Sequence, residues 1–132
     1  MNTNKMSLFS LPVHHLGIAM NINNFTNFTS EKSVNFDETQ GVHTCFEFNN
    51  HFNCYVEYFT ISGRALNYTP GFHHICYEVT NLENFVELKK YILLNRLGFQ
   101  ITQIEKSGSK ECNNVVFFYL KKFGVIEFNI ND

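Results

Sequence analysis

Phe72-His73-His74-Ile75-Cys76-Tyr77-Glu78-Val79 decides the fold, because the chain has already said nearly the same thing once, as Val13-His14-His15-Leu16-Gly17-Ile18-Ala19-Met20. Each phrase then runs into a similar continuation. Asn21-Ile22-Asn23-Asn24-Phe25 follows the first, and Asn81-Leu82-Glu83-Asn84-Phe85 follows the second after one extra residue. Further on, Tyr55-Val56-Glu57-Tyr58-Phe59 matches Val125-Ile126-Glu127-Phe128-Asn129. Cys45-Phe46-Glu47-Phe48 matches Val116-Phe117-Phe118-Tyr119 in hydrophobicity alone. Matches recurring in one order mark two copies of a single supersecondary unit.

Each copy reads as a strand, a helix and then further strands. Residues 13–20 and 72–79 are rich in β-formers and of strand length. In the second copy Asn81 is placed to cap a helix beginning at Leu82. Phe85, Leu88, Tyr91 and Ile92 recur at helical spacing, and Gly98 is expected as its left-handed C-terminal residue. Strands are then expected over 99–104, 114–120 and 124–130, with a polar loop over 106–113. The first copy is shorter: a stunted helix over 22–29, then strands over 34–36, 42–48 and 53–61.

These elements predict an α+β chain of two paired βαβββ modules. The expectation is a single domain over residues 1–132, with module 1 at about 11–62, a Gly/Pro-bearing connector at 63–71 and module 2 at about 72–132. Neither half alone would bury enough surface to be stable.

Composition supports an ordinary core. Of 132 residues, 44% are hydrophobic and 17% charged, so no disulfide framework is required. A formal charge of −2 gives no reason to expect nucleic acid or an anionic membrane as partner. No apolar run reaches the roughly 18 residues of a membrane helix, and the first residues lack a signal-peptide pattern. A cytoplasmic protein with no membrane partner is the expectation. Cys45, Cys54, Cys76 and Cys112 show no CxxC spacing, which argues against a zinc knuckle. Those in apolar runs read as buried free thiols.

The candidate site comes from the repeat. A His stands near the start of the first strand of each half, His15 and His74. A Glu stands inside the last apolar strand of each, Glu57 and Glu127. A carboxylate in such a strand is costly to bury without a partner. An approximate dyad would bring all four side chains together as a site for one divalent cation with open positions. Taken singly, each is more often a satisfied structural His or a solvated Glu; the matched pairs make the case. Strict alternation sends His14 and His73 to the opposite face, so they are left out. His43 and His51 lack counterparts and read as surface groups or as groups standing behind the ligands.

With these residues the sequence resembles the vicinal-oxygen-chelate (glyoxalase/bleomycin-resistance/dioxygenase) superfamily, most of all its methylmalonyl-CoA epimerases. The likeness lies in His14-His15-Leu16-Gly17-Ile18-Ala19, in Phe72 to Val79 with Asn81-Leu82, and in Gly124-Val125-Ile126-Glu127-Phe128. It implies a barrel-like metal cleft, one divalent cation held by His15, Glu57, His74 and Glu127, and a homodimer. Co, Ni, Zn, Mn, Mg and Fe are not distinguishable on these ligands. The implied activity is a metal-dependent epimerase or isomerase moving a proton next to a carbonyl, with Glu127 and then Glu57 as catalytic carboxylates. The implied partner is a small molecule, an acyl-CoA or other acyl-thioester. Two alternatives stay open: a glyoxalase I-type lactoylglutathione lyase, which the ligand set fits equally, and a non-catalytic binding protein of the resistance type. An extradiol dioxygenase would leave Glu57 surplus. The sequence departs from the epimerases at Thr44, where some carry a Glu base, and at Tyr119-Leu120-Lys121, where a His-Pro-Lys is usual.

Overall fold

The computed structural model describes residues 10–61 and 69–131. Most of the connector expected between the modules lies outside them. In chain order the elements are β1 (Val13–Met20), α1 (Ile22–Thr29), β2 (Asn35–Asp37), β3 (Val42–Asn49), β4 (Cys54–Thr60), β5 (Gly71–Val79), α2 (Leu82–Leu94), β6 (Gly98–Gln100), β7 (Glu105–Lys106), β8 (Asn114–Leu120) and β9 (Gly124–Ile130).

All strands join one mixed sheet in the order β2-β3-β4-β1-β5-β9-β8-β6, with β7 also on β8. This order is palindromic. The antiparallel β1–β5 pair forms the centre. Each central strand is flanked by the last strand of its own half, running parallel to it: β4 beside β1, β9 beside β5. The repeat read in the sequence is therefore a spatial dyad between β1 and β5.

Both helices start where a side chain can accept from a free backbone N–H. Asn21 accepts from Asn24 N at 3.1 Å and Asn81 from Asn84 N at 2.8 Å. The α2 helix buries Phe85, Leu88 and Ile92. They pack with Tyr77, Val79, Val116, Phe118, Ile126, Phe128 and Ile130, the residues that β5, β8 and β9 turn to that face. The first-half helix has only eight residues and buries Phe25 and Thr29.

Two expectations need correction. The left-handed residue that ends α2 is Arg96, at φ 54°, not Gly98. Gly98 instead lies in β6, where a Cβ would stand 2.0 Å from the Tyr119 carbonyl oxygen, so its role is close approach between strands. The strand expected over 99–104 is broken into short β6 and β7, because residues 101–104 stand opposite only Val116 and Phe117 and bulge there, with Ile101 N still donating to Phe117 O.

Between β7 and β8, residues 107–113 form a strap closed by Ser107 N donating to Asn113 O at 2.7 Å. It reaches the opposite edge of the sheet. Asn35 Nδ2 donates to Gly108 O and Thr39 Oγ1 to Lys106 O, both at 3.0 Å. Beneath it Asp37 is 1% exposed and accepts at Oδ1 from Thr39 N and Gln40 N. The second half thus clasps the first.

Candidate metal centre

Register explains how the four expected ligands meet. Gly17 on β1 stands opposite Glu57 on β4 and His74 on β5. Cys76 on β5 stands opposite His15 on β1 and Glu127 on β9. Two transverse rows result, Glu57–Gly17–His74 and His15–Cys76–Glu127, and the dyad exchanges them. Residues directly opposite share a face, so all four ligand candidates project to one side of the sheet. The middle place in each row holds a small residue, over which the neighbouring imidazole can lean.

His15, His74, Glu57 and Glu127 are all buried. Their donor atoms lie within 4.8 Å of one another. His15 Nε2 is 3.0 Å from Glu127 Oε1, 3.3 Å from Glu57 Oε1 and 3.2 Å from His74 Nε2. His74 Nε2 is 3.1 Å from Glu127 Oε1 and 3.7 Å from Glu57 Oε1. Ligand bonds of about 2.1 Å place neighbouring donors roughly 3.0 Å apart in an octahedron and roughly 3.4 Å apart in a tetrahedron. The observed separations bracket these values. Two imidazole nitrogens aimed at each other between two buried carboxylates form a donor set that a divalent cation would neutralise and satisfy.

The electrostatics agree. Burial pushes the Glu127 carboxyl up, but hydrogen bonds and charge from His15 and His74 outweigh this and hold it well below the usual carboxylate range. Burial lowers His15, yet the Cys76 thiol, hydrogen bonds to Cys112 and Cys76 and the Glu127 carboxylate raise it well above the ordinary histidine range.

His14 and His73 do not obey alternation. Val13 pairs with Tyr77 and His15 with Cys76, so His14 is an extra residue in β1. His74 pairs with Gly17 and Phe72 with Ile18, so His73 is an extra residue in β5. Each doubled histidine is a β-bulge, and a bulge re-aims its side chain. His14 Nδ1 lies 2.7 Å from His15 Nδ1, and His73 Nδ1 lies 2.7 Å from His74 Nδ1. Their assignment to the far face was therefore incorrect: period-two reasoning fails at an inserted residue. Burial first, then the charge of the adjacent His74, pushes His73 down to about 4, and burial then His15 lowers His14.

Cys112 also escaped the sequence reading. It sits on the strap, where no pattern distinguishes it, and its sulfur lies within 4.8 Å of nitrogens of His14 and His15. Burial raises its thiol to about 11. His43 and His51 are exposed, as expected. The cysteines are all free.

Beside the cluster lies a cavity of about 250 Å3 lined by Asn35, Thr44, Phe46, Gly108, Lys110 and Glu111 among others. Phe46, which lines this cavity, also meets the His15 ring edge-on, with centroids 5.2 Å apart, and so connects cavity wall and cluster. Thr44 is 1% exposed and its Oγ1 has no hydrogen-bond partner in the protein. A buried hydroxyl of this kind is a ready contact for a ligand oxygen or water.

The fold is that of the vicinal-oxygen-chelate proteins. A methylmalonyl-CoA epimerase from Mycobacterium tuberculosis superposes with a TM-score of 0.64 at 13% identity, covering 99% of this chain and 96% of the other. A hypothetical protein from Bacillus halodurans C-125 gives 0.64 at 18% identity, covering 93% and 96%. A catechol 2,3-dioxygenase gives 0.55 at 13% identity, covering 89% of this chain and 39% of the other. No family model matches the sequence, and no curated protein matches it.

Proposed function

We propose that this chain binds one divalent cation through His15, Glu57, His74 and Glu127 and works as an isomerase or epimerase on a small acyl-thioester, an acyl-CoA in the first instance. The observation that carries this reading is the buried meeting of two imidazoles and two carboxylates beside a cavity. The methylmalonyl-CoA epimerases among its fold neighbours are named for an acyl-CoA, which supports the substrate class.

A bound divalent cation supplies Lewis-acid stabilisation for negative charge developing on a substrate carbonyl oxygen. The chain does the rest. Glu127 takes the proton next to the carbonyl and returns it; Glu57, at 6% exposure against 3% for Glu127, is the second candidate for that role. Both carboxylates are buried from bulk water, which strengthens charge interactions there. Thr44 lines the cavity and contacts the substrate by hydrogen bonding, since a hydroxyl is a poor base at neutral pH.

Elemental analysis tests the first claim: about one divalent ion per chain is expected, and none in Glu127→Ala. Exchange of the α-proton in deuterated water, across a panel of acyl-thioesters, tests the second. Metal-bound protein that exchanges none of them overturns the activity while leaving the metal site standing. In that event a resistance-type binding protein becomes the reading, which Thr44 in place of a carboxylate already favours. The lyase alternative predicts turnover of the hemithioacetal of methylglyoxal and glutathione. A homodimer in the cytoplasm completes the proposal, and sedimentation tests the assembly.

A further inference from the structure

The metal reading explains His15 and His74 but gives no work to the histidines doubled beside them. Each is the inserted residue of a β-bulge, and the dyad relates the bulges. A bulge interrupts the ladder, so two of them at the centre of the sheet need a return.

Tautomers show what the return is. His15 Nε2 faces Glu57, His74 and Glu127, so as a ligand it must present a lone pair there. Its proton is then on Nδ1. The partner of that N–H, at 2.7 Å, is His14 Nδ1. His14 must therefore accept at Nδ1 and carry its own proton on Nε2. The backbone oxygen of Glu111, on the strap, accepts a hydrogen bond from the His14 ring. Strap, His14 and His15 thus follow one another toward the site. In the second half His73 Nδ1 meets His74 Nδ1 at the same 2.7 Å.

Resting on the metal reading, we propose that His14 is a positioning residue that fixes His15 in its metal-binding tautomer and ties that tautomer to the strap of residues 107–113 through Glu111. His73 fixes the tautomer of His74 likewise in the other half. Ligand histidines commonly donate their second N–H to a carboxylate or carbonyl; here a bulged neighbouring imidazole takes that place. The cluster of His14, His15 and Cys112 could instead hold a second ion. The 2.7 Å between the two Nδ1 atoms argues against it, since two nitrogens on one ion with bonds of about 2.0–2.1 Å stand about 3 Å or more apart.

The test compares His14→Asn, whose amide oxygen can accept near the place of Nδ1, with His14→Leu, which cannot. Cobalt(II) affinity is measured by competition titration. His14→Leu is expected to weaken it about 10- to 100-fold, with His14→Asn recovering most of the loss. In parallel, long-range nitrogen–proton correlation spectra of 15N-histidine protein loaded with diamagnetic Zn2+ read the tautomers directly, His15 protonated at Nδ1 and His14 at Nε2. Equal losses in the two variants, or a Leu variant that binds cobalt like the wild type, overturns the proposal. So does a sulfur-to-cobalt charge-transfer band that Cys112→Ser abolishes. If wild type binds no divalent ion, the metal reading fails and the relay with it; if it binds zinc but His14 carries its proton on Nδ1, the relay alone fails.

Discussion

Gly17 lies directly beneath the imidazole of His74: a Cβ on Gly17 would stand 2.2 Å from His74 Cε1 and 2.5 Å from Nδ1. The two residues are cross-strand partners at the centre of the sheet. The glycine is needed for space rather than for backbone freedom. Gly17→Ala must push the ring off its place, and with it Nε2. Loss of most bound metal is expected, measured as ions per chain after dialysis, with a folded circular-dichroism spectrum retained. An alanine variant with full metal content would show that the ring does not need this place.

Glu127→Gln keeps the shape of the side chain and removes its charge. His15 Nε2 and His74 Nε2 then face an amide at about the same distances. Metal affinity is expected to fall at least tenfold, and any α-proton exchange activity with it. Calorimetric titration with Zn2+ checks the first and deuterium incorporation the second.

Asp37 supports the strap. It accepts from Thr39 N, Gln40 N and the Gly108 backbone N–H, and burial raises its carboxyl despite these bonds. Asp37→Ala leaves those donors without their partner at a cost of about 1–3 kcal/mol, read from urea unfolding. Asp37→Asn keeps an accepting oxygen and should lose less. If Glu111 anchors His14 as argued, the alanine variant also binds cobalt more weakly.

The metal-free protein should lose stability in mild acid. His73 is pushed down to about 4 in the fold, against 6.5 when unperturbed. Between these values the unfolded chain binds a proton that the folded chain refuses. Stability is therefore full above about 6.5, falls as the pH drops toward 4, and is lost no further from this group below that. The depressed Glu127 carboxyl acts lower down, below the ordinary carboxylate range of about 4.3. Urea midpoints against pH should show the upper slope, flattened in His73→Asn.

Ile92 is 0% exposed, in the packing between α2 and the sheet. Ile92→Ala is expected to cost about 2–5 kcal/mol without changing the number of ions bound. Linked loss of metal at temperatures where the variant stays folded would show that core and site are more tightly coupled than the layers suggest.

Much of this was legible in the chain. The repeated phrases gave the two modules, because burial demands the same apolar pattern wherever the same unit recurs. Asn81 announced the start of α2, because a capping side chain acts over three residues. His15, Glu57, His74 and Glu127 were found by their matched places, and they do meet. Errors arose where a local rule met a non-local contact: Gly98 is reserved for the Tyr119 backbone, and Arg96 takes the left-handed turn instead.

By itself the sequence determined the duplication, the strand–helix–strand order of each half and the pairing of one His with one Glu in each, since these rest on periodicity and short-range hydrogen bonding. Only the tertiary structure decided that His14 and His73 turn toward the ligands, that Gly17 makes room for His74, and that the strap brings Cys112 beside His15 and Glu111 beside His14. Those facts depend on register between strands far apart in the chain. A single inserted residue changes which side chains face each other there, and no local pattern records it.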